Sequence, residues 1–415
     1  MNKFFRQLHL WLSVPFGLII TIICFTGAML VFESEITEHV NSKLLRVEPQ
    51  EETMPIGKLM RAVSATLPDT VSATSITISS DPADAWQVQL SKPRRASVRI
   101  NQYTGEVLGR YERLPFFSTM FGLHRWLLMN PVGKTIVGIS TLVFVLILIS
   151  GIVVWIPKNR KMLANRLKIS TKHGWRRFWY DLHVAGGIYA VVLLLAMSLT
   201  GLTWSFPWYR NAFYAVFGVE TSQMQNSHGG GEQQKVQNGQ QTDRSARIDN
   251  QQHHTDNINY EKAIADTLAH KERGNRQQAN ATTGATQKTE RNRRVKGLNT
   301  RQWNKVYNIL QEKYASEGYN SITISDGKAQ VSLSGFGNQR ASDSYTFNAE
   351  NGEIETTKLY ADSNKAQKLR GWIFSVHVGS WGGMFTRILA FLAALLGASL
   401  PLTGYYLWIK RKFLK

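Results

Sequence analysis

Cysteine is almost missing from this chain: Cys24 is the only one. A lone thiol excludes an intramolecular disulfide, a multi-cysteine zinc site and a cysteine-ligated iron–sulfur cluster. Acid is scarce as well, with 29 Asp and Glu against 49 Lys and Arg and a formal charge of +20. Four apolar runs, 10–32, 136–156, 184–206 and 388–409, contain no charged residue. Ion-coupled carriers keep an acid or base in mid-membrane, so its absence weighs against transport. No glycine-rich dinucleotide fingerprint follows a predicted strand, which leaves no evident flavin or nicotinamide site.

What is present is membrane-spanning length. Each run is 21 to 23 residues, and about 20 apolar residues cross the hydrocarbon core. The slightly negative mean hydropathy therefore averages two unlike materials. The first run has the basic start of a signal peptide in Lys3 and Arg6. Its apolar stretch is long, though, and no small-residue cleavage site precedes Glu33-Ser34-Glu35, so it reads as an uncleaved anchor. From 158 to 177 the chain carries eight Lys or Arg and no acid, and Lys410, Arg411, Lys412 and Lys415 close the chain. The positive-inside rule places both segments and the amino terminus in the cytoplasm. Residues 33–132 and 207–384 then lie outside, in the periplasm of a cell with two membranes. The net charge is thus a topology signal plus a polar loop, and calls for no nucleic acid.

The runs repeat. A shift of 174 carries His9 to His183, Thr26-Gly27 to Thr200-Gly201 and Phe32 to Phe206. A shift of 253 carries His124 to His377, Phe121 to Phe374, Lys134 to Arg387, Gly151 to Gly404 and Trp155 to Trp408. The chain reads as two copies of helix, soluble module, helix. Four histidines at matched positions, two near each membrane face, suit axial ligation of b-type haem iron. The bland reading is interfacial histidines reaching head groups. Topology pairs His9 with His183 inside and His124 with His377 outside. His173 is a rival for the inner site. Asn130-Pro131 is expected to break the second helix, putting His124 on an interfacial segment and the outer haem at or above the head groups.

Both external regions carry hairpin signatures, alternating apolar and polar residues around Thr104-Gly105 and Asn351-Gly352. Helices over 56–67 and 301–317 precede them, giving two small α+β modules. Residues 221–300 are polar and poor in apolar groups, and are expected to be disordered. His228, His253, His254 and His270 fall in that linker. The expected division is a first transmembrane helix in 1–35, a module in 36–115, a second helix in 116–157, a basic loop in 158–182, a third helix in 183–208, the insertion, a module in 301–365, and a fourth helix in 371–410.

LHLWLSVPFG with a downstream FTGAMLVF, the SGIVVWIPK ending of the second run, and VRINQYTGEVL resemble the PepSY-associated transmembrane family, over essentially the whole chain apart from 221–300. The resemblance implies a bacterial inner-membrane protein tied to iron acquisition, some members being ferric-siderophore reductases with two b-type haems. It implies His9, His183, His124 and His377 as axial ligands.

The expected architecture is a four-helix membrane α-helical bundle with two external PepSY-like modules and an internal two-fold repeat. Candidate partners for haem propionates are Arg125, Lys134 and Arg387 outside and Arg6, Arg176 and Arg177 inside. The same six serve equally as topology determinants or head-group anchors. Gly17 and Gly187, near the ligand ends, are candidate haem contacts, whereas the Thr-Gly and Ser-Gly pairs are read as helix packing. The expected function is reduction of an external ferric chelate by electrons from an unidentified cytoplasmic donor. Alternatives are a non-enzymatic sensor or assembly protein that binds peptides or proteins through its modules, or a transporter component.

Overall fold

A computed structural model describes residues 2–413, apart from Arg94, Arg95, Lys158 and 220–298. The 221–300 insertion and its four histidines thus lie almost wholly outside the described residues. Charge-free apolar sequence folds here into long helices, since in lipid every backbone polar group must be satisfied internally. These are α1 (Asn2–Leu30), α4 (Val132–Trp155), α6 (Gly187–Ser205) and α9 (Gly383–Phe413). Among the described residues, four helical stretches are long and apolar enough to cross a membrane. Trp11, Leu18 and Phe25 recur every seventh residue on α1 and stay exposed, as do Val132, Ile139 and Leu146 on α4. Seven residues return to one face of a helix, so each row is a stripe suited to lipid. The opposite faces bury Ile20, Cys24, Phe144, Leu148, Leu194 and Ala393 at the bundle centre.

Both α1 and α6 pack against α4 and α9, which makes α1 and α6 diagonal partners. Two shorter helices enter the bundle from its sheet-bearing end. Helix α3 (Pro115–Trp126) lies on α1 and precedes α4, and α8 (Lys365–His377) lies on α6 and precedes α9. The chain turns between α3 and α4 with Leu127 and Leu128 both at positive φ. Helix α5 (Gly174–Asp181) leads into α6 through a π-helical turn, Leu182–Gly186.

The strands of the two expected modules join in one sheet in place of two separate ones. Strands β1 (Ala73–Ser79), β2 (Trp86–Leu90), β3 (Ser97–Ile100) and β4 (Val107–Tyr111) follow α2 (Ile56–Ala65). Strands β5 (Tyr319–Ser325), β6 (Lys328–Leu333), β7 (Ser342–Phe347) and β8 (Ile354–Lys358) follow α7 (Trp303–Lys313). Gly105 and Gly352 turn their hairpins at φ +75° and +74°, conformations that glycine adopts at no steric cost. The order β4-β3-β2-β1-β5-β6-β7-β8 is antiparallel throughout. The join is the pentapeptide Ser-Ile-Thr-Ile-Ser paired with its own copy, Ser75 opposite Ser325 and Thr77 opposite Thr323. A palindromic strand pairs with itself antiparallel in perfect register, and here Thr77 and Thr323 hydroxyls meet at 2.9 Å. Ile76, Ile78, Ile322 and Ile324 point into one shared core with Leu59, Val63, Trp303 and Leu310. The union removes two exposed edges and hangs a single domain on the helices that enter the bundle.

Candidate functional site

The four histidines anticipated as ligands come together as two pairs. The His9 and His183 rings lie 6.3 Å apart, centroid to centroid, with planes crossing at 86°. His124 and His377 lie 6.1 Å apart at 52°. Each ring is half-buried and is held the same way. His9 Nδ1 is 3.1 Å from the Ile147 carbonyl, His183 Nδ1 3.1 Å from that of Leu400, His124 Nδ1 2.9 Å from that of Ile23, and His377 Nδ1 2.9 Å from that of Met197. A carbonyl only accepts, so Nδ1 carries the proton in all four and Nε2 keeps its lone pair. That tautomer is the one a metal-ligating histidine adopts when its other nitrogen is tied to the protein.

In every case the accepting carbonyl lies four residues before a glycine, and a hydroxyl residue immediately precedes that glycine. The seats are Ser150-Gly151 for His9, Thr403-Gly404 for His183, Thr26-Gly27 for His124 and Thr200-Gly201 for His377. A Cβ on Gly27 or Gly201 would stand 2.9 Å from the imidazole Cε1, while on Gly151 or Gly404 it would stand at 3.3 and 3.5 Å. The missing side chain opens the helix flank so that the ring reaches a main-chain carbonyl. Each hydroxyl donates back to its own helix, and the Ser150 and Thr403 oxygens also accept from His9 and His183 at 3.1 and 2.9 Å. The Ser-Gly and Thr-Gly pairs, expected as helix packing, are therefore the ring seats.

An imidazole nitrogen sits about 2 Å from a bound metal, and the ring centre roughly 1 Å beyond, so two trans imidazoles place their centroids roughly 6 Å apart. Both pairs have that spacing. Among the described residues no third His, Cys, Asp or Glu joins either pair, so a tetrahedral metal site is not built here. The donor set fits a metal that brings its own equatorial ligands.

The second pair sits deeper than the sequence suggested. His124 and His377 rest against residues 23–27 of α1 and 197–201 of α6, which lie inside the apolar runs. The turn at Leu127 and Leu128 folds α3 back onto α1 and carries His124 inward. Along α1, residue 9 and the 23–27 seat are separated by roughly 24 Å at the α-helical rise. The His183 ring emerges from the π turn, a distortion common at functional sites. Trp204 meets the His377 ring edge-on at 5.0 Å; its lack of a counterpart in the first half, where Leu30 stands, kept it from notice.

Other candidates have other neighbours. His173 is exposed and shares a 2.7 Å hydrogen bond with Ser170, away from both pairs. Gly17 faces Tyr405 and Pro401, and Gly187 faces Leu400, so neither meets a histidine ring. Arg387 grips the Glu35 carboxylate and the Val31 carbonyl, and Arg177 pairs with buried Asp181. Arg125 lies 5.7 Å from the Phe121 and Trp126 rings. Arg6, Lys134 and Arg176 are exposed and make no ion pair among the described residues. Among the buried donors without a hydrogen-bond partner in the described residues are Trp155 Nε1, one turn past Gly151, and Ser380 Oγ, three residues past His377.

A family model described as PepSY-associated TM region matches residues 6–411. No curated protein matches the chain.

Proposed function

The chain belongs to the PepSY-associated transmembrane family, and from that premise we propose a membrane reductase that holds two b-type haems and passes electrons outward to a ferric chelate such as a siderophore. The observation that carries this reading is the pair spacing, 6.3 and 6.1 Å, with all four Nδ1 atoms tied to carbonyls. Bis-imidazole haem supplies one-electron transfer with no open coordination position.

The protein's own residues do the rest. His9 and His183 would ligate on the cytoplasmic side, His124 and His377 on the external side. Ser150 and Thr403 strengthen the hold on the first two rings, and such outer contacts are worth ten- to a hundred-fold in affinity, on the order of magnitude seen at other metal sites. Trp155 Nε1 and Ser380 Oγ, buried without a partner, would be available to donate to haem propionates. The basic segments 158–177 and 410–415 support an inner-membrane orientation with both termini cytoplasmic and the sheet periplasmic. The recurrence of a helix and four strands in each half, joined through identical pentapeptides, supports descent from a two-fold repeat. In the reaction, one electron from a cytoplasmic reductant converts Fe(III) to Fe(II) in the chelate, weakening its hold by hard oxygen donors.

Oriented vesicles test the direction. Protein reduced beforehand should be reoxidised by a ferric chelate added outside. His183→Ala should keep that oxidation and lose reduction from the cytoplasmic face. Reoxidation that required the chelate on the cytoplasmic side would overturn the outward reading.

A further inference from the structure

Phe336 stands out from the loop between β6 and β7 and is 79% exposed. The backbone holds it there. Gly335 at φ +144° and Gly337 at φ +103° flank it, conformations that residues with side chains rarely adopt. Gly337 N donates to the Trp381 carbonyl at 2.8 Å and Gln339 N to Ser375 Oγ at 2.9 Å. A Cβ on Gly337 would stand 2.8 Å from the Trp372 ring. The loop is thus fastened to α8 and to the turn that leads into α9. There the Phe336 ring meets that of Trp381 edge-on, with centroids 5.8 Å apart.

That turn lies where the fourth span begins. Under the shift of 253 its counterpart is the turn from α3 to α4, where Leu128 corresponds to Trp381, Met129 to Gly382 and Val132 to Phe385. Leu128, Met129, Val132 and Phe385 are all exposed. Val132 heads the exposed row that runs through Ile139 and Leu146, and Phe385 heads a similar one through Ile388 and Leu392, spaced to share one helix face. Both turns therefore sit at the sheet-side end of a lipid-facing row. The second half has Gly382 in place of Met129, and Phe336 brings an apolar side chain to that level from the sheet domain. Residues 91–95, between β2 and β3, read Ser-Lys-Pro-Arg-Arg and offer no aromatic.

We propose that the Phe336 loop anchors the sheet domain to the membrane, with the ring inserted into the bilayer interface beside Trp372 and Trp381. The occupant of this exposed surface is the same lipid that covers the Phe385 row, because the two are continuous across Trp381. Aromatic side chains concentrate at that level of a bilayer, and insertion removes apolar surface from water. The loop bonds to α8 and its turn then hold the sheet over the end of the bundle that carries His377, and the lipid contact adds a further point of attachment. The anchor is independent of whether the protein holds haem.

Cys24 is buried, so a cysteine introduced at the surface takes an environment-sensitive nitrobenzoxadiazole label selectively. In nanodiscs of phosphatidylcholine and phosphatidylglycerol, label on Phe336→Cys should show blue-shifted emission. Lipid brominated near the head group should quench it more than lipid brominated near the chain end. Label on Phe385→Cys should be quenched as well, and label on Glu350→Cys, in the turn at the opposite end of β7, should not. Dividing each intensity by its value in unbrominated lipid removes quenching by any bound chromophore. The native side chain is tested by hydrogen exchange of residues 334–341 in the same nanodiscs: Phe336→Asp should speed it about ten-fold, and Phe336→Trp should keep it slow. Quenching at 336 no greater than at 350, or equal loop exchange in Phe336→Asp and wild type, would overturn the proposal. So would loop protection that rises with protein concentration and not with lipid, since Phe336 would then meet a second copy of the chain.

Discussion

Replacing His9 or His183 with alanine is expected to remove one haem, and replacing His124 or His377 the other, halving haem content each time. The expectation follows from the pairing, because each ring has one partner across a 6.3 or 6.1 Å gap and no third donor stands by among the described residues. Loss of one imidazole leaves an open iron position and a single protein bond. A partial effect is also informative: five-coordinate high-spin haem retained by the surviving histidine would appear as a blue-shifted, broadened Soret band. The two sites should differ spectroscopically, since planes crossing at 86° leave the iron d orbitals closer to degenerate than planes at 52°. The first pair should thus give the more anisotropic low-spin signal, and His9→Ala should abolish that signal while His377→Ala spares it. His173→Ala serves as control, because its ring bonds to Ser170, and it should keep both haems. Full haem content in all four ligand variants would sink the assignment.

The glycine seats give the second large effect, and one with an internal contrast. Leucine at Gly27 or Gly201 must displace the ring of His124 or His377, because even a bare Cβ there lies 2.9 Å from Cε1. Gly27→Leu and Gly201→Leu should therefore lose the second haem while retaining the first. Alanine at Gly151 or Gly404 meets its ring at 3.3 or 3.5 Å, near ordinary contact, and should leave the first haem in place. Alanine also stabilises a helix interior by about 1 kcal/mol over glycine. A structural role alone would thus make these alanine variants neutral or more stable at all four positions. Haem content across Gly27→Ala, Gly201→Ala, Gly151→Ala and Gly404→Ala should instead fall or loosen only at the first two. Equal retention throughout would show that the rings do not depend on their seats.

Much of this was legible from residue offsets alone. Shifts of 174 and 253 located the histidines and, with topology, their partners. They also marked Thr26-Gly27, Thr200-Gly201, Gly151 and Gly404. What those glycines touch was not legible, because small residues before a helix crossing serve close packing just as well. Gly17 and Gly187 look closer to His9 and His183 in sequence, yet a glycine eight or four residues along a helix faces wherever its own azimuth points, here toward Tyr405 and Leu400. The depth of His124 depends on left-handed backbone at Leu127 and Leu128, which leucine does not advertise as glycine would. Both copies of Ser-Ile-Thr-Ile-Ser stood in plain view, but edge-to-edge pairing is a long-range choice between strands more than 240 residues apart.

The most direct test is the visible spectrum and haem-to-protein ratio of the wild-type protein purified from membranes. Two haems per chain are predicted, six-coordinate and low-spin in both oxidation states, with sharp α and β bands after reduction. Protein that folds and inserts normally in haem-replete cells yet shows no Soret band would contradict the account, and would return the chain to a peptide- or protein-binding role for its sheet domain.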